Sequence, residues 1–146
     1  MGKILLLRIR GMVDVRREIK KTLDMLKLRK KFVAVIVNDT KEMKGMIDRA
    51  KDYLAYQQLD EKTLILLLTK RAKLIGNKDA KIDEKTISEF AKKFLDNKAE
   101  LEDLKIKTFF SLHPPRGGFK KSIKYAYPKG VLGNNKDLNK LIERML

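Results

Sequence analysis

The segment from Phe110 to Gly130 carries the side chains that are most able to take part in chemistry. It contains all three prolines of the chain, the one histidine, five cations, two tyrosines and no carboxylate. The imidazole of His113 could serve as a general base or stack on a nucleobase, and the cations could bind phosphates. A hydroxyl nucleophile would need His113 as its base, but no local motif marks a partner for it. These residue types favour binding over catalysis, and no catalytic residue is predicted.

The prolines and glycines of this segment predict a stiff loop that can approach another surface closely. Pro114 and Pro115 hold the backbone extended and bias His113 away from a helix, whereas Gly117 and Gly118 allow a turn. Stiffening lowers the entropy that is lost when a loop docks. Four rings could stack on unpaired bases, namely His113, Phe119, Tyr125 and Tyr127. The alternative is that His113 is a hydrogen-bonded structural residue and that both tyrosines are buried on one side of a strand.

The cations of this region have no carboxylate neighbours in the sequence. Between Asp103 and Asp137 there is no Asp or Glu, so the cations of that window are predicted to lack local ion-pair partners and to be free for phosphates. They are Lys105, Lys107, Arg116, Lys120, Lys121, Lys124, Lys129 and Lys136.

The composition points in the same direction. Lys and Arg outnumber Asp and Glu by 35 to 19, which gives a formal net charge of +16. Self-repulsion of this size is commonly offset by a polyanion, and nucleic acid is the commonest one. A Lys-rich surface that faces only water, as in some heat-adapted proteins, is the alternative, but such surfaces usually balance Lys with Glu.

Several other classes of protein are disfavoured. The absence of cysteine removes disulfides, thiol catalysis and thiolate zinc sites, and a single histidine leaves no plausible metal cluster, so no metal or cofactor is expected. The run from Leu64 to Leu68 is too short to span a bilayer, and the apolar run in "MGKILLLRIRG" is too short for a signal peptide. We therefore expect a cytoplasmic protein with no membrane partner and no small-molecule substrate.

The elements that must position these side chains begin with an alternation of apolar runs and helical stripes. Strands are predicted at Lys3–Ile9, at Phe32–Asn38 and from Thr63 onward, with a helix after Asp14 and another capped by Asp39 or Thr40. The buried helix positions are Val15, Ile19, Leu23 and Leu26, then Met43, Met46, Ile47, Ala50 and Leu54. The pattern predicts a β-α-β-α-β unit in which two helices cover one face of a three-stranded sheet and the second half of the chain covers the other.

The second half is predicted to be helical and loop-rich. Asp83 caps a helix whose buried stripe is Ile87, Phe90, Ala91, Phe94 and Leu95, and a last helix buries Leu138, Leu141, Ile142 and Met145. The segment from Asp79 to Asp103 holds eight acids against five lysines, so it should point away from phosphates. We divide the chain into a core domain at residues 1–70 and an extension at residues 71–146.

Several motifs resemble those of a known family. The segments "TLDMLKL", "VNDT" and "KGMIDRAKDYL" resemble the core of the large-subunit ribosomal protein L-thirty family, and "FSLHPPRGGFK" with "GVLGN" resembles its long archaeal and eukaryotic form, a relative of eukaryotic ribosomal protein L-seven. The resemblance implies a ribosome component that binds large-subunit rRNA and 5S rRNA beside neighbouring ribosomal proteins. It also implies a loosely ferredoxin-like α+β fold with an antiparallel sheet, whereas the alternating pattern alone favours a parallel one.

Two positions depart from the family pattern. Lys41 follows Thr40 where the family often has proline, and Asn135 stands where the family commonly has arginine. Lys136 is the candidate to replace that arginine.

These observations predict a non-enzymatic, architectural rRNA binder within the large ribosomal subunit, with RNA shape rather than base sequence giving specificity. The predicted RNA-binding residues are Arg8, Arg10, Arg16, Arg17, Lys20, Arg29, Lys30, Lys31, Lys44, His113, Arg116, Gly117, Gly118, Lys120, Lys121, Lys124, Tyr125 and Lys129. A free RNA-processing or ribosome-assembly factor, with nuclease activity centred on His113, is the alternative. A compact DNA-coating protein ranks last, because no helix suited to reading the major groove is recognisable.

Overall fold

The computed structural model describes residues 2–76, 78–79 and 81–146. Within them the helices are α1 (Arg17–Met25), α2 (Lys41–Ala50), α3 (Glu61–Arg71), α4 (Glu84–Leu95) and α5 (Leu138–Met145), with a 3-10 turn at Leu101–Leu104. The strands are β1 (Lys3–Arg8), β2 (Val33–Asn38), β3 (Leu54–Gln58), β4 (Phe109–Ser111), β5 (Ser122–Ala126) and β6 (Gly130–Asn134).

The sheet of the described residues has the order β4-β2-β1-β3-β6-β5. β1 pairs antiparallel with β2 and β3, and β2 pairs antiparallel with β4, whereas β6 runs parallel to both β3 and β5. The mixed α+β class and the antiparallel core are confirmed. The expectation of a three-stranded sheet is wrong, because the second half of the chain adds three strands to the two edges of the core.

The third predicted strand is a helix. Thr63, Leu64, Leu67 and Leu68 are buried at the spacing of one helical face, and the segment from Thr63 onward lies within α3. A short apolar run cannot be assigned to helix or strand by periodicity alone. The third strand of the core is β3, so Leu54 belongs to the sheet and not to the buried stripe of α2.

The central strand β1 is buried on both faces. Ile4 and Leu6 pack with α1 and α2 in one hydrophobic cluster, while Leu5, Leu7 and Ile9 pack with α3, α4 and α5 in another. Adjacent side chains on a strand point to opposite faces, so the continuous apolar run of β1 serves two cores. The expectation that the second half of the chain covers the far face is confirmed.

The starts of α2 and α4 and the buried positions of α5 match the sequence. Thr40 caps α2 by accepting from the Met43 N–H at 3.3 Å, Asp83 precedes α4, and the predicted apolar positions of α5 are buried. The first helix differs. It begins at Arg17 rather than after Asp14, because Asp14 has a left-handed backbone with φ 56° that cannot start a helix.

Candidate nucleic-acid interface

Residues 113–121, which we call the proline-glycine loop, are fastened to the C-terminal end of α5. The His113 N–H donates to the Met145 carbonyl and the Arg116 N–H donates to the Arg144 carbonyl, each at 3.1 Å. Arg144 Nη1 in turn donates to the Gly118 carbonyl at 3.1 Å. These bonds satisfy helix-terminal carbonyls that lack a partner within the helix, so the loop and the helix end hold each other in place.

The glycines and aromatics of the loop give it its path. Gly117 and Gly118 have φ of 76° and 72°, a conformation that other residues rarely adopt. The Phe119 ring stacks on the Phe32 ring with a centroid distance of 6.0 Å. Phe32 directly follows residues 29–31, which we call the basic turn and which join α1 to β2. Two groups of cations that are far apart in the sequence are therefore neighbours in the fold.

His113 lies in an environment that does not suit a catalytic base. Its side chain is exposed, and its Nε2 lies 3.1 Å from Arg71 Nη1. A guanidinium can only donate, so Nε2 is the acceptor and the ring proton is on Nδ1. Nε2 therefore already has a hydrogen-bond partner, and His113 positions the loop against the end of α3.

Arg8 is misplaced in the predicted RNA-binding set. Its side chain is fully buried, and its guanidinium donates to the carbonyls of Leu28 at 2.6 Å, Arg10 at 3.0 Å and Gly11 at 3.2 Å. Burial lowers the pKa of Arg8, and the nearby Asp24 and Tyr53 oppose that shift. Arg8 fastens the end of β1 to the following loop and cannot reach a phosphate.

The other predicted cations of the N-terminal half are exposed: Arg10, Arg16, Arg17, Lys20, Arg29, Lys30, Lys31 and Lys44. Three of them make contacts within the protein. Arg10 lies over the Tyr53 ring at 5.3 Å, Lys31 Nζ lies 5.0 Å from the Phe32 ring centre, and Lys44 forms an ion pair with Asp39 at 2.8 Å. Lys44 is the exposed partner of this pair, whereas the Asp39 side chain is partly buried.

The loop before α1 has an apolar tip that the sequence analysis missed. Met12 and Val13 are 42% and 86% exposed, between the exposed Arg10 and Arg16. Met12 and Val13 fit neither a helical nor a strand repeat of apolar residues, and this is the feature of the sequence that indicates an exposed loop.

The cations of the acid-free window are not all without a partner. Lys121 pairs with Asp137, outside the window, at 3.6 Å and lies 4.4 Å from the Tyr127 ring centre, so the prediction that the cations of the window are free for phosphates is wrong for Lys121. Asp137 is the first carboxylate beyond the window, and the fold returns it to the loop. Lys120, Lys124 and Lys129 are exposed, and Tyr125 on β5 is 63% exposed.

Asn135 has a structural role at the position where the resembled family commonly has arginine. It is buried, its Nδ2 donates to the Val131 carbonyl at 3.1 Å, and its Oδ1 accepts from the Asp137 N–H at 2.9 Å. These bonds shape the connection from β6 to α5. The adjacent Lys136 is exposed.

Among the described residues, no group of three or more His, Asp or Glu side chains is placed to hold a metal ion. Across the same part of the chain, every helix is too short or too polar to span a bilayer.

Comparison with known proteins gives consistent similarities. A family model described as ribosomal protein L30p/L7e matches residues 4–54. The large ribosomal subunit protein uL30 of Archaeoglobus fulgidus is 46% identical over 94% of this chain and 96% of the relative. The proteins of the same description from Korarchaeum cryptofilum and Methanopyrus kandleri are 42% and 40% identical, covering 98% and 94% of this chain and 94% and 100% of the relatives. The similarity thus extends over both halves of the sequence.

Proposed function

Since the chain belongs to the ribosomal protein L30p/L7e family, we propose that it binds rRNA within the large ribosomal subunit by neutralising phosphates. Its relatives are structural ribosomal proteins, which confirms that it is not an enzyme. The partners we propose are large-subunit rRNA, 5S rRNA and neighbouring ribosomal proteins.

The observation that carries the rRNA proposal is the contact between Phe119 and Phe32. It holds the proline-glycine loop beside the basic turn, so that Arg116 and Lys120 lie on the same part of the surface as Arg29, Lys30 and Lys31. Five exposed cations on two joined segments form a surface on which several phosphates can be bound at once.

The bonds from the loop to α5 explain why this surface suits a folded RNA. The loop is fixed by three backbone-directed hydrogen bonds before any ligand arrives, so binding costs less conformational entropy. A fixed array of cations recognises the spacing of phosphates, which is a readout of shape. The proposed interface contains the exposed cations Arg10, Arg16, Arg17, Lys20, Arg29, Lys30, Lys31, Arg116, Lys120, Lys124 and Lys129. It also contains His113, Gly117, Gly118 and Tyr125. Lys44 and Lys121 join it when they exchange their carboxylate partners for phosphates. Arg8 is left out.

A salt series tests the interface. Binding of the full chain to large-subunit rRNA and to 5S rRNA is measured by filter retention between low and physiological salt. We expect Arg116→Ala with Lys120→Ala to reduce the log–log salt slope by about two units, since each phosphate contact contributes about one.

The matched control removes two cations from another part of the surface. Lys92→Ala with Lys93→Ala makes the same change in net charge on the exposed side of α4, and we expect it to leave the slope unchanged. Equal slopes for both double variants would remove the loop from the interface. Retention of large-subunit rRNA without 5S rRNA would remove 5S rRNA from the partners.

A second experiment separates a constituent of the subunit from a free assembly factor. We expect the native protein to sediment with large ribosomal subunits through a high-salt wash. Its release into the supernatant at a salt concentration that leaves other subunit proteins bound would favour the assembly factor.

A further inference from the structure

An open groove of about 800 Å³ lies at the β4 edge of the sheet. Its apolar lining comes from Val33, Ile75, Ile106 and Phe109, and Ile75 and Phe109 are 69% and 37% exposed. Exposed apolar side chains that share one concave surface commonly mark a binding site.

The groove exists because α1 and α2 do not cover the whole sheet. β4 pairs with β2 through Val35↔Phe109 and Val33↔Ser111, so Phe109 lies on the same face as the two valines. The cluster beneath α1 and α2 contains those valines but no described residue of β4. The neighbouring Phe110 points the other way and is fully buried in the opposite core. Phe109 is thus left on a sheet face with no helix above it.

The rim of the groove is positively charged. The described residues that line it include four cations and one carboxylate, namely Lys27, Arg29, Lys30 and Lys107 with Glu102. Lys27 Nζ donates to Thr108 Oγ1 at 2.9 Å, and Lys107 Nζ lies 5.6 Å from the centre of the Phe109 ring. An aromatic surface bordered by cations suits a ligand that has a flat π face beside a negative charge.

We propose that this groove binds an unpaired nucleotide of rRNA, with its base against the Phe109 ring and its phosphate beside Lys27, Arg29 and Lys30. The inference rests on the proposed rRNA-binding function. The groove shares Arg29 and Lys30 with the basic turn, so it continues the proposed interface, and this continuity favours RNA over an acidic peptide of another protein. A base in the groove would add stacking on Phe109 to a surface that consists mainly of cations for phosphates.

The test follows methyl signals of Val33, Ile75 and Ile106 by NMR on the full chain. One probe is a hexamer of adenylate, and the other is an abasic ribose-phosphate hexamer with the same charge. We expect the adenylate hexamer to shift these signals and the abasic hexamer to leave them unchanged. Signals that neither probe moves, or that both probes move equally, would overturn the proposal.

Substitution of the ring gives the second readout. Phe109→Ala should weaken binding of the adenylate hexamer by about 5- to 150-fold, which is the usual contribution of one stacked base, and should not change binding of the abasic hexamer. Phe109→Leu, which keeps an apolar side chain but no ring, should also weaken it. Met25→Ala is the control, because Met25 is an exposed apolar side chain that lies outside the groove lining and outside the proposed interface. Equal losses at Met25 and Phe109 would overturn the assignment to the groove.

Two outcomes distinguish a failure of the groove proposal from a failure of the proposed rRNA-binding function. If wild-type protein retains salt-dependent binding to large-subunit rRNA while the groove signals stay still, the inference fails and the proposed function stands. If rRNA binding itself is absent, both fail. Displacement of the adenylate hexamer by a lower concentration of an alternating Leu-Asp peptide would assign the groove to a protein partner instead.

Discussion

Two cations of β1, Lys3 and Arg8, are buried, although the surface of the protein is rich in charge. Arg8 is the costlier one to lose, because three carbonyls depend on its guanidinium. We expect Arg8→Met to lower the free energy of unfolding by about 2–4 kcal/mol, since buried acceptors are left without donors. Urea denaturation followed by circular dichroism measures the change.

Arg10→Met is the comparison for Arg8, two residues along the chain and exposed. It should change the free energy of unfolding by about 0.5 kcal/mol or less. Should Arg8→Met prove as mild as Arg10→Met while flattening the salt dependence of rRNA binding, Arg8 would have to be returned to the interface.

Lys3 gives a pH dependence with a definite sign. Burial lowers the pKa of Lys3, and Glu100 opposes the shift. The Asn38 Oδ1 at 2.6 Å and the Phe94 ring at 4.5 Å support the ammonium in this position. Because the folded pKa lies below the unfolded one, the folded state is penalised while Lys3 is protonated, and the penalty disappears as the pH rises past the ordinary lysine pKa. We expect wild type to gain stability relative to Lys3→Met from neutral to alkaline pH.

The difference between the two proteins isolates Lys3 from the other titrating lysines. Urea unfolding of both at a series of pH values gives this difference, and Lys41→Met, at an exposed lysine, serves as the reference. A difference that stays constant with pH, or that moves in favour of Lys3→Met, contradicts the assignment.

At the level of elements, the connection from β5 to β6 leaves no room for a side chain at Gly130. A Cβ added at Gly130 would lie 2.7 Å from the Ser122 carbonyl oxygen and closer still to that of Tyr125. Both are backbone atoms, so the clash cannot be relieved by a change of rotamer. Gly130→Ala should lower the free energy of unfolding by about 1–3 kcal/mol and speed hydrogen exchange in β5.

Gly45 on α2 is the matched control, because nothing lies within 4 Å of the Cβ that alanine would add. Gly45→Ala should stabilise the protein by up to about 1 kcal/mol, since alanine is the better helix former. The same sign for both substitutions, measured by urea unfolding, would show that the contact at Gly130 is not constraining.

The elements also show what the sequence could and could not predict. The Thr40 cap of α2 and the stripe of α5 follow from local chemistry and are confirmed, whereas Asp83 precedes α4 without making a side-chain capping bond. α3 packs against the sheet, α4 and α5, so apolar residues occupy most of its circumference. The resulting continuous apolar run has no helical repeat and therefore resembles a buried strand. The sequence does contain signals for a helix here, namely Asp60 at its start and Lys70 and Arg71 in its last turn. The continuous apolar run favours a strand more strongly than these residues favour a helix.

For the molecule as a whole, the sequence predicts the net positive charge of the surface. It does not predict which individual cations are buried or form ion pairs. The excess of cations and the rigid loop follow from composition and from Pro and Gly. The burial of Arg8 and the pairing of Lys121 with Asp137 depend on how distant segments return to each other, which a single sequence does not specify. The Phe109 groove belongs to the same class, because it arises from the part of the sheet that two helices leave uncovered.

The division at residues 70 and 71 stays a prediction, and the shared core suggests its test. Leu5 and Leu7 of the first segment lie in one cluster with Phe90 and Ile142 of the second. We expect the two segments to unfold together, in one calorimetric transition whose calorimetric and van't Hoff enthalpies agree. Two separate transitions would instead support two independent domains.

The bonds between the proline-glycine loop and α5 have a consequence for biosynthesis. The loop leaves the translating ribosome before Arg144 and Met145, the residues whose carbonyls receive its N–H groups. A nascent chain that stops short of α5 carries the loop cations without the hydrogen bonds that fasten the loop to α5. If the loop takes part in the proposed rRNA binding, we therefore expect a chain that ends before α5 to bind rRNA more weakly than the full chain.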